Sequence, residues 1–181
     1  MSESSNNSDV LSKVQGQMSL PERIAAFVPG FHGYKEKEIR RESDRLIRNH
    51  LYMKLSIEKN DLRDIEQKLA DRRYFDVLTD MDRLLAKMDR VVEKVNHASN
   101  GYSGFFDAVK VREENLDHMI DFDNTLLDGI NALTTEIDAF KADLASGVTT
   151  NLKTRVQNVT DKLESLENTF DQRNEVTLGV S

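Results

Sequence analysis

The sequence predicts an all-α protein: two consecutive antiparallel helical hairpins that form an elongated four-helix, coiled-coil-like bundle, preceded by a short N-terminal helix. The 181 residues include only eight Gly and two Pro, too few turn residues for a chain built of short strands. Four segments carry apolar residues at helical spacing, and in the third and fourth segments spacings of three and four alternate, which is the period of packed helices. Gly or Asn-Gly follows the second and third segments, where helices commonly end.

A single domain is expected over residues 19–175, because a chain of this length can bury a core without disulfides or metals. Residues 1–18 are rich in Ser, Asn and Gln, a composition that predicts a disordered tail. Ser19 and Glu22 match a capping box, which predicts the short helix over residues 20–28. Residues 176–181 are expected to fray.

Four long helices are expected within this domain, over residues 35–71, 74–99, 107–146 and 149–175. The joins after residues 71 and 146 are short, so the helices on either side of each join should lie antiparallel. Asp123 interrupts the apolar seam of the third long helix. Three explanations remain open: a position near water at the end of the bundle, a polar layer that sets the helix register, or a carboxylate metal site.

Charge and composition exclude several classes of function. The net charge is −7, and the acidic excess lies after residue 100, where the chain has 15 Asp and Glu but only 7 Lys and Arg. A coherent basic surface for nucleic acid is therefore not expected. The chain has no Cys and no apolar run near the roughly 20 residues that span a bilayer. We expect a cytoplasmic protein without a cofactor, and with at most peripheral membrane contact.

Two segments share the pattern Gly-aromatic-x-Gly-aromatic: Gly30-Phe31-His32-Gly33-Tyr34 and Gly101-Tyr102-Ser103-Gly104-Phe105. Each precedes the first helix of a hairpin. Their glycines could simply allow a tight turn while the aromatic residues pack the helix start onto the core. In an up-down-up-down bundle both segments should also lie at the same end, where their aromatic residues would form one cluster.

The first long helix carries the one basic feature of the chain. Lys37, Arg41, Arg45 and Arg48 recur on one helical face, interleaved with acidic residues. Such a face is either solvated and laced with ion pairs, or a site for an acidic partner or an anionic lipid surface. With the aromatic cluster it predicts a partner-binding site made of Phe31, Tyr34, Lys35, Lys37, Arg41, Arg45, Arg48, Tyr102, Phe105 and Lys110.

A local match suggests one kind of chemistry. Asp121, Asp123 and Thr125 resemble the D-x-D-x-T signature of haloacid-dehalogenase-like phosphohydrolases, in which the first Asp is the nucleophile and the second the acid/base, with Mg²⁺. That signature follows a buried strand, whereas the residues before Asp121 continue a helical period. On a helix the two carboxylates would point 200° apart and could not converge on one phosphoryl group, so the phosphohydrolase is kept only as an alternative.

A metal site in the bundle core is not expected either. Di-iron bundles use Glu-x-x-His on two helices. The residues three positions before the four His of this chain are Pro29, Ile47, Lys94 and Asn115.

The segments G-F-H-G-Y-K-E-K-E-I-R-R-E-S-D and G-Y-S-G-F-F-D-A-V-K-V resemble an uncharacterised group of bacterial and archaeal helical proteins over roughly residues 20–146. No activity comes with this resemblance, which implies an accessory role beside membrane-associated scaffold proteins of the prohibitin and stomatin type. The leading hypothesis is a non-enzymatic interaction or adaptor protein that presents the paired loops and the basic face to a protein partner. The runner-up is a peripheral membrane protein that inserts helix 20–28; self-association is also open.

Overall fold

The computed structural model describes residues 37–98 and 113–178, and their side chains over 45–98 and 121–175. Four helices make up these residues: α1 (Lys37–Asp71), α2 (Phe75–His97), α3 (Glu113–Ser146) and α4 (Leu152–Leu178). No strand occurs within those two ranges, so the prediction of an all-α fold is confirmed. The predicted tail over 1–18 and the predicted helix over 20–28 lie outside the described residues.

The chain divides into two compact units, Met1–Ile47 and Arg48–Ser181. In the first unit the structure describes residues 37–47, which are helical. The second unit holds the rest of α1 together with α2, α3 and α4. The extent of a single domain over 19–175 stays a prediction.

Antiparallel packing within each hairpin is visible in the ion pairs of the second unit. Lys59 and Arg63 of α1 both approach Asp89 of α2, at 2.8 and 3.8 Å. Arg155 near the start of α4 lies 2.7 Å from Asp143 near the end of α3. In both hairpins the chain therefore reverses direction at the short join, as the spacing of the apolar residues predicts.

Parallel pairs of helices complete the bundle. Thr134 of α3 donates a hydrogen bond of 2.7 Å to Glu58 of α1, and further toward the C-terminal ends of both helices, Lys141 lies 2.8 Å from Asp61. On the opposite side, α2 packs against α4 in parallel. The order around the bundle is α1, α2, α4, α3, so α1 lies diagonally across from α4.

The core is the shared apolar seam of these four helices. The contacts between α3 and α4 follow one antiparallel register, in which Asp123 pairs with Arg173 and Leu166 lies beside Gly129. Burial of the apolar side chains of the seam is the main stabilising term of a bundle. The seam residues of the second unit are Leu51, Leu55, Leu62, Ile65, Leu69, Val77, Met81, Leu84, Met88, Val91, Val92, Val95, Leu126, Leu127, Ile130, Leu133, Ile137, Phe140, Leu144, Leu152, Val156, Val159, Leu163, Leu166 and Phe170.

Both hairpins turn on the same backbone motif. After α1, the N–H of Tyr74 donates to Leu69 and that of Arg73 to Ala70, each at 3.0 Å, with Arg73 at a φ of 64°. These bonds form a Schellman motif, in which a residue in the left-handed conformation ends the helix. A side-chain bond of 2.6 Å from Arg72 to the carbonyl oxygen of Leu144 joins this turn to the turn after α3.

The turn after α3 repeats that motif with glycine. The N–H of Val148 donates to Asp143 at 2.9 Å and that of Gly147 to Leu144 at 3.3 Å, with Gly147 at a φ of 77°. Glycine adopts this conformation without steric cost, whereas Arg73 adopts it despite its Cβ atom.

The bounds of α4 differ from the predicted 149–175 at both ends. The helix begins at Leu152 and continues through Leu178, where fraying was expected. The seam of α4 has one further member beyond Phe170, namely Arg173, and this residue is fully buried. α4 therefore stays packed in the bundle at least as far as Arg173.

Candidate functional site

Most residues of the predicted partner-binding site fall outside the part of the chain whose side chains are described. Arg45 is exposed on α1, whereas Arg48 is buried, with 7% of its surface accessible. Of these two, only Arg45 therefore presents its side chain at the surface. Lys37 and Arg41 lie in α1 without described side chains, and those outside the described residues are Phe31, Tyr34, Lys35, Tyr102, Phe105 and Lys110.

The carboxylates of the phosphohydrolase-like motif do not converge. Both lie within the continuous helix α3, where Asp121 is exposed and Asp123 is fully buried. The hydroxyl of Thr125 donates to the carbonyl oxygen of Asp121 at 2.8 Å, an ordinary bond within one helix. This arrangement leaves no shared position between the two carboxylates for a phosphoryl group.

Asp123 instead forms a buried ion pair with Arg173 of α4. The Nε of Arg173 donates to Oδ1 of Asp123 at 2.5 Å, and the two side chains are 1% and 0% exposed. Of the three explanations for Asp123, a position near water is therefore wrong, and the polar layer describes the observed pair. Arg48 lies at about the same level, because it is ten residues before Glu58 in α1, while Asp123 is eleven residues before Thr134, the partner of Glu58 in the parallel helix α3.

A second polar residue interrupts the seam, at Glu58 in α1, and sequence reasoning missed it. Its side chain is 2% exposed; Oε1 accepts the hydrogen bond from Thr134, while Oε2 accepts none from the described residues. Burial raises the pKa of the Glu58 carboxyl, the Thr134 bond opposes that rise, and the nearby carboxylates Asp61 and Asp138 add to it. The signal was available, since Glu58 occupies a seam position between Leu55 and Leu62.

Neither polar position resembles a metal centre. Within residues 45–98 and 121–175, no three His, Cys, Asp or Glu side chains come together as a metal site requires.

The outer face of α1 carries three large apolar side chains that are exposed. Tyr52, Met53 and Ile57 are 37%, 63% and 53% exposed. Asn49, Asn60 and the partly exposed Ser56 lie on the same side of the helix and are also uncharged, and the partly exposed Lys54 and Lys59 flank this side. We call the six uncharged residues the neutral face of α1.

The neutral face contrasts with the outer surfaces of the neighbouring helices. The exposed positions of α2 include Asp82, Arg83, Arg90 and Glu93 within three turns. Charged residues are the usual choice for a solvated helix face. Sequence reasoning missed the neutral face because it followed the apolar seam; the signal was three large apolar residues that lie off that seam.

Comparison with known protein families, with characterised proteins and with solved structures finds no match to this chain. The resemblance to an uncharacterised helical family stays a prediction. Among residues 37–98 and 113–178, none of the helices has the length and apolar character needed to cross a membrane.

Proposed function

We propose that this chain is a non-enzymatic interaction protein that binds a helix of a partner protein on the neutral face of α1. The observation that carries this proposal is the exposure of Tyr52, Met53 and Ile57 together on a side of α1 whose other outward residues, Asn49, Ser56 and Asn60, are uncharged. Contiguous apolar surface on a soluble protein commonly marks an interaction site. Tyrosine and methionine are also enriched in protein interfaces, whereas lysine and glutamate are depleted there.

The dimensions of the neutral face favour a helical partner. From Asn49 to Asn60 the face spans about 17 Å, at 1.5 Å per residue, which is three turns of helix. An amphipathic helix of this length would place apolar residues at i, i+4 and i+7 against Met53 and Ile57. Arg63 and Asp64 follow the face toward the end of α1 and form a charged rim there.

A membrane surface is a weaker occupant for this face. Three apolar side chains give little interfacial binding, and an anionic membrane would repel the acidic second half of the chain. The membrane alternative that uses helix 20–28 concerns residues outside the described part and stays a prediction.

The proposal is tested by copurification from the native cell with quantitative mass spectrometry. The charged variant Met53→Glu/Ile57→Glu is compared with Ala86→Glu/Ala142→Glu, which adds the same two charges at exposed positions of α2 and α3. We expect a defined set of proteins that the wild type and the control retain and the neutral-face variant loses at least about tenfold, since a buried unpaired charge disrupts an interface.

Retention of the same proteins by all three chains would contradict the proposal. So would a wild-type dimer that the neutral-face variant converts to monomer in light scattering, because the occupant would then be a second copy. If the charged variant loses its helical spectrum, Met53→Ser/Ile57→Ser replaces it and must show the same loss.

A further inference from the structure

A groove of about 620 Å³ runs along the surface between the parallel helices α2 and α4. Its floor is apolar, formed by Leu84 and Val156, which are 1% and 3% exposed. Its walls are polar and carry more positive than negative charge. The wall residues are Asp80, Arg83, Lys87, Arg90, Lys153, Thr154, Gln157, Asn158, Thr160 and Glu164.

The charge of this groove is opposite in sign to that of the chain. Four cationic side chains and two carboxylates line it, so its net charge is +2, whereas the whole chain carries −7. On α2 the cations Arg83, Lys87 and Arg90 recur at i, i+4 and i+7, which places them on one helical face. The groove is therefore a local positive site on an acidic protein.

Three of the four cations of the groove form only weak ion pairs, or none, with the described residues of the chain. Arg83 lies 3.2 Å from Asp80, but its side chain is 76% exposed, and such surface pairs are worth little. The nearest carboxylate to Lys153 is that of Asp76 at 3.9 Å. Arg90 forms no ion pair with the residues whose side chains the structure describes.

Lys87 is the exception among the four, since it pairs with Glu164 across the groove and only 17% of its side chain is exposed. This pair ties α2 to α4 in the middle of the groove. Arg90 and Lys153, which lack a close carboxylate partner among the described residues, lie on opposite sides of the Lys87–Glu164 pair. Lys153 of α4 is level with Asp76 of α2, and Asp76 is fourteen residues before Arg90. Arg90 and Lys153 are therefore about 21 Å apart along the bundle.

We propose that the groove between α2 and α4 binds an acidic peptide segment of a partner protein, with its carboxylates on Arg83, Arg90 and Lys153. Charge complementarity selects an anionic ligand. A nucleic acid is disfavoured because the groove has no aromatic side chain for stacking and the chain as a whole repels phosphate. A flat lipid surface does not enter a concave groove.

The inference goes beyond the proposed function, because the groove is lined by α2 and α4 alone and the neutral face belongs to α1. Failure of one site leaves the other intact.

The test measures binding of a fluorescent helical peptide of about fourteen residues, with Glu at i, i+4, i+7 and i+11. The matched peptide carries Gln at those positions. We expect the full chain to bind the Glu peptide at least about tenfold more tightly than the Gln peptide, and less tightly as salt rises from about 0.05 to about 0.3 M.

Variants locate the binding site. Arg90→Glu is compared with Lys162→Glu, which makes the same change of charge at an exposed position of α4 outside the groove. We expect about a tenfold loss of affinity from the first and less than about a twofold loss from the second. Lys153→Glu should reproduce the effect of Arg90→Glu, with an unchanged helical spectrum in each variant.

Three results would overturn the inference. One is equal affinity for the Glu and Gln peptides, or no binding of either. Another is equal weakening by Arg90→Glu and Lys162→Glu, which would indicate only a response to net charge. The third is displacement of the peptide by an inorganic polyphosphate or by a thymidine oligonucleotide at a lower concentration than by unlabelled Glu peptide, because the ligand would then be a phosphate polymer.

Discussion

The two hairpins of this bundle have the same architecture, but they differ in the partner of their buried carboxylate and in the residue at their turn. Each has an apolar seam interrupted by one buried carboxylate and a join that ends in a Schellman motif. In the α3–α4 hairpin the carboxylate, Asp123, faces a cation in the opposing seam, and the turn residue is Gly147. In the α1–α2 hairpin the carboxylate, Glu58, bonds to a hydroxyl, and the turn residue is Arg73.

The difference shows that the same fold forms whether or not the buried carboxylate has a cationic partner, and whether or not the left-handed turn residue is glycine. A buried charge with a charged, hydrogen-bonded partner is costly to disrupt, whereas a buried carboxylate without one raises its pKa and tends toward the neutral form. Likewise glycine meets the left-handed turn without strain, and arginine does not. Replacement of the buried carboxylate or of the turn residue should therefore destabilise the α3–α4 hairpin but stabilise the α1–α2 hairpin.

The largest effect is expected from breaking the buried ion pair. Asp123→Leu should lower the free energy of unfolding by about 3–5 kcal/mol, because it leaves the fully buried Arg173 without its carboxylate. Urea denaturation measures this loss. Asp121→Leu is the control, an exposed carboxylate of the same helix, and should change stability by less than about 0.5 kcal/mol.

The reciprocal substitution sharpens this prediction. Arg173→Leu should cost less than Asp123→Leu, because Arg48 remains at the level of Asp123 and can neutralise it. Equal costs, or the reverse order, would show that Arg48 plays no part in this layer. A cost below about 1 kcal/mol for both would contradict the importance of the pair itself.

A smaller effect of opposite sign is expected at Glu58. Glu58→Gln should raise the free energy of unfolding at pH 7 by about 1 kcal/mol, the usual size of a stabilising substitution. On folding, Glu58 must either bury a charge or take up a proton, whereas Gln does neither and can still accept the Thr134 bond. Glu175→Gln, the same change at an exposed position of α4, serves as the control and should change little.

The gain from Glu58→Gln should depend on pH. Because the pKa of Glu58 in the folded chain lies above its ordinary value of 4.5, the folded chain retains a proton that the unfolded chain loses between those two values. In that window the contribution of Glu58 to stability falls as pH rises. The advantage of the variant should therefore shrink as pH is lowered toward 4.5; an advantage constant from pH 7 to pH 4.5 would contradict a titrating Glu58.

The smallest effects are expected at the turns, with opposite signs. Arg73→Gly should stabilise the chain by about 0.5 kcal/mol, because relief of the left-handed strain exceeds the added freedom of the unfolded chain. Gly147→Ala should destabilise it by about 1 kcal/mol through backbone strain alone, since a Cβ atom there meets no other atom within 4 Å. Thermal unfolding of both variants measures the pair, and changes of the same sign would refute the comparison.

Much of this architecture could be predicted from the sequence because helix periodicity is a local signal. The 4-3 spacing of Leu152, Val156, Val159 and their successors indicates a helix without knowledge of its neighbours, and short joins then require antiparallel hairpins. Continuing that spacing past Phe170 reaches Arg173, so the cation opposite Asp123 was within reach of sequence reasoning. The composition alone also argued against disulfides and nucleic acid.

By itself, then, the sequence determined the all-α class, the order of the helices and the apolar side of each one. Only the tertiary structure decided what lies beside those helices: that Asp123 meets a residue fifty positions away, that Glu58 and Arg48 are buried, and that Tyr52, Met53 and Ile57 remain exposed. The physical reason is that periodicity records how one helix divides into faces, whereas burial of a face depends on which other helix packs against it. The exposed face of α1 and the groove between α2 and α4 are consequences of that packing.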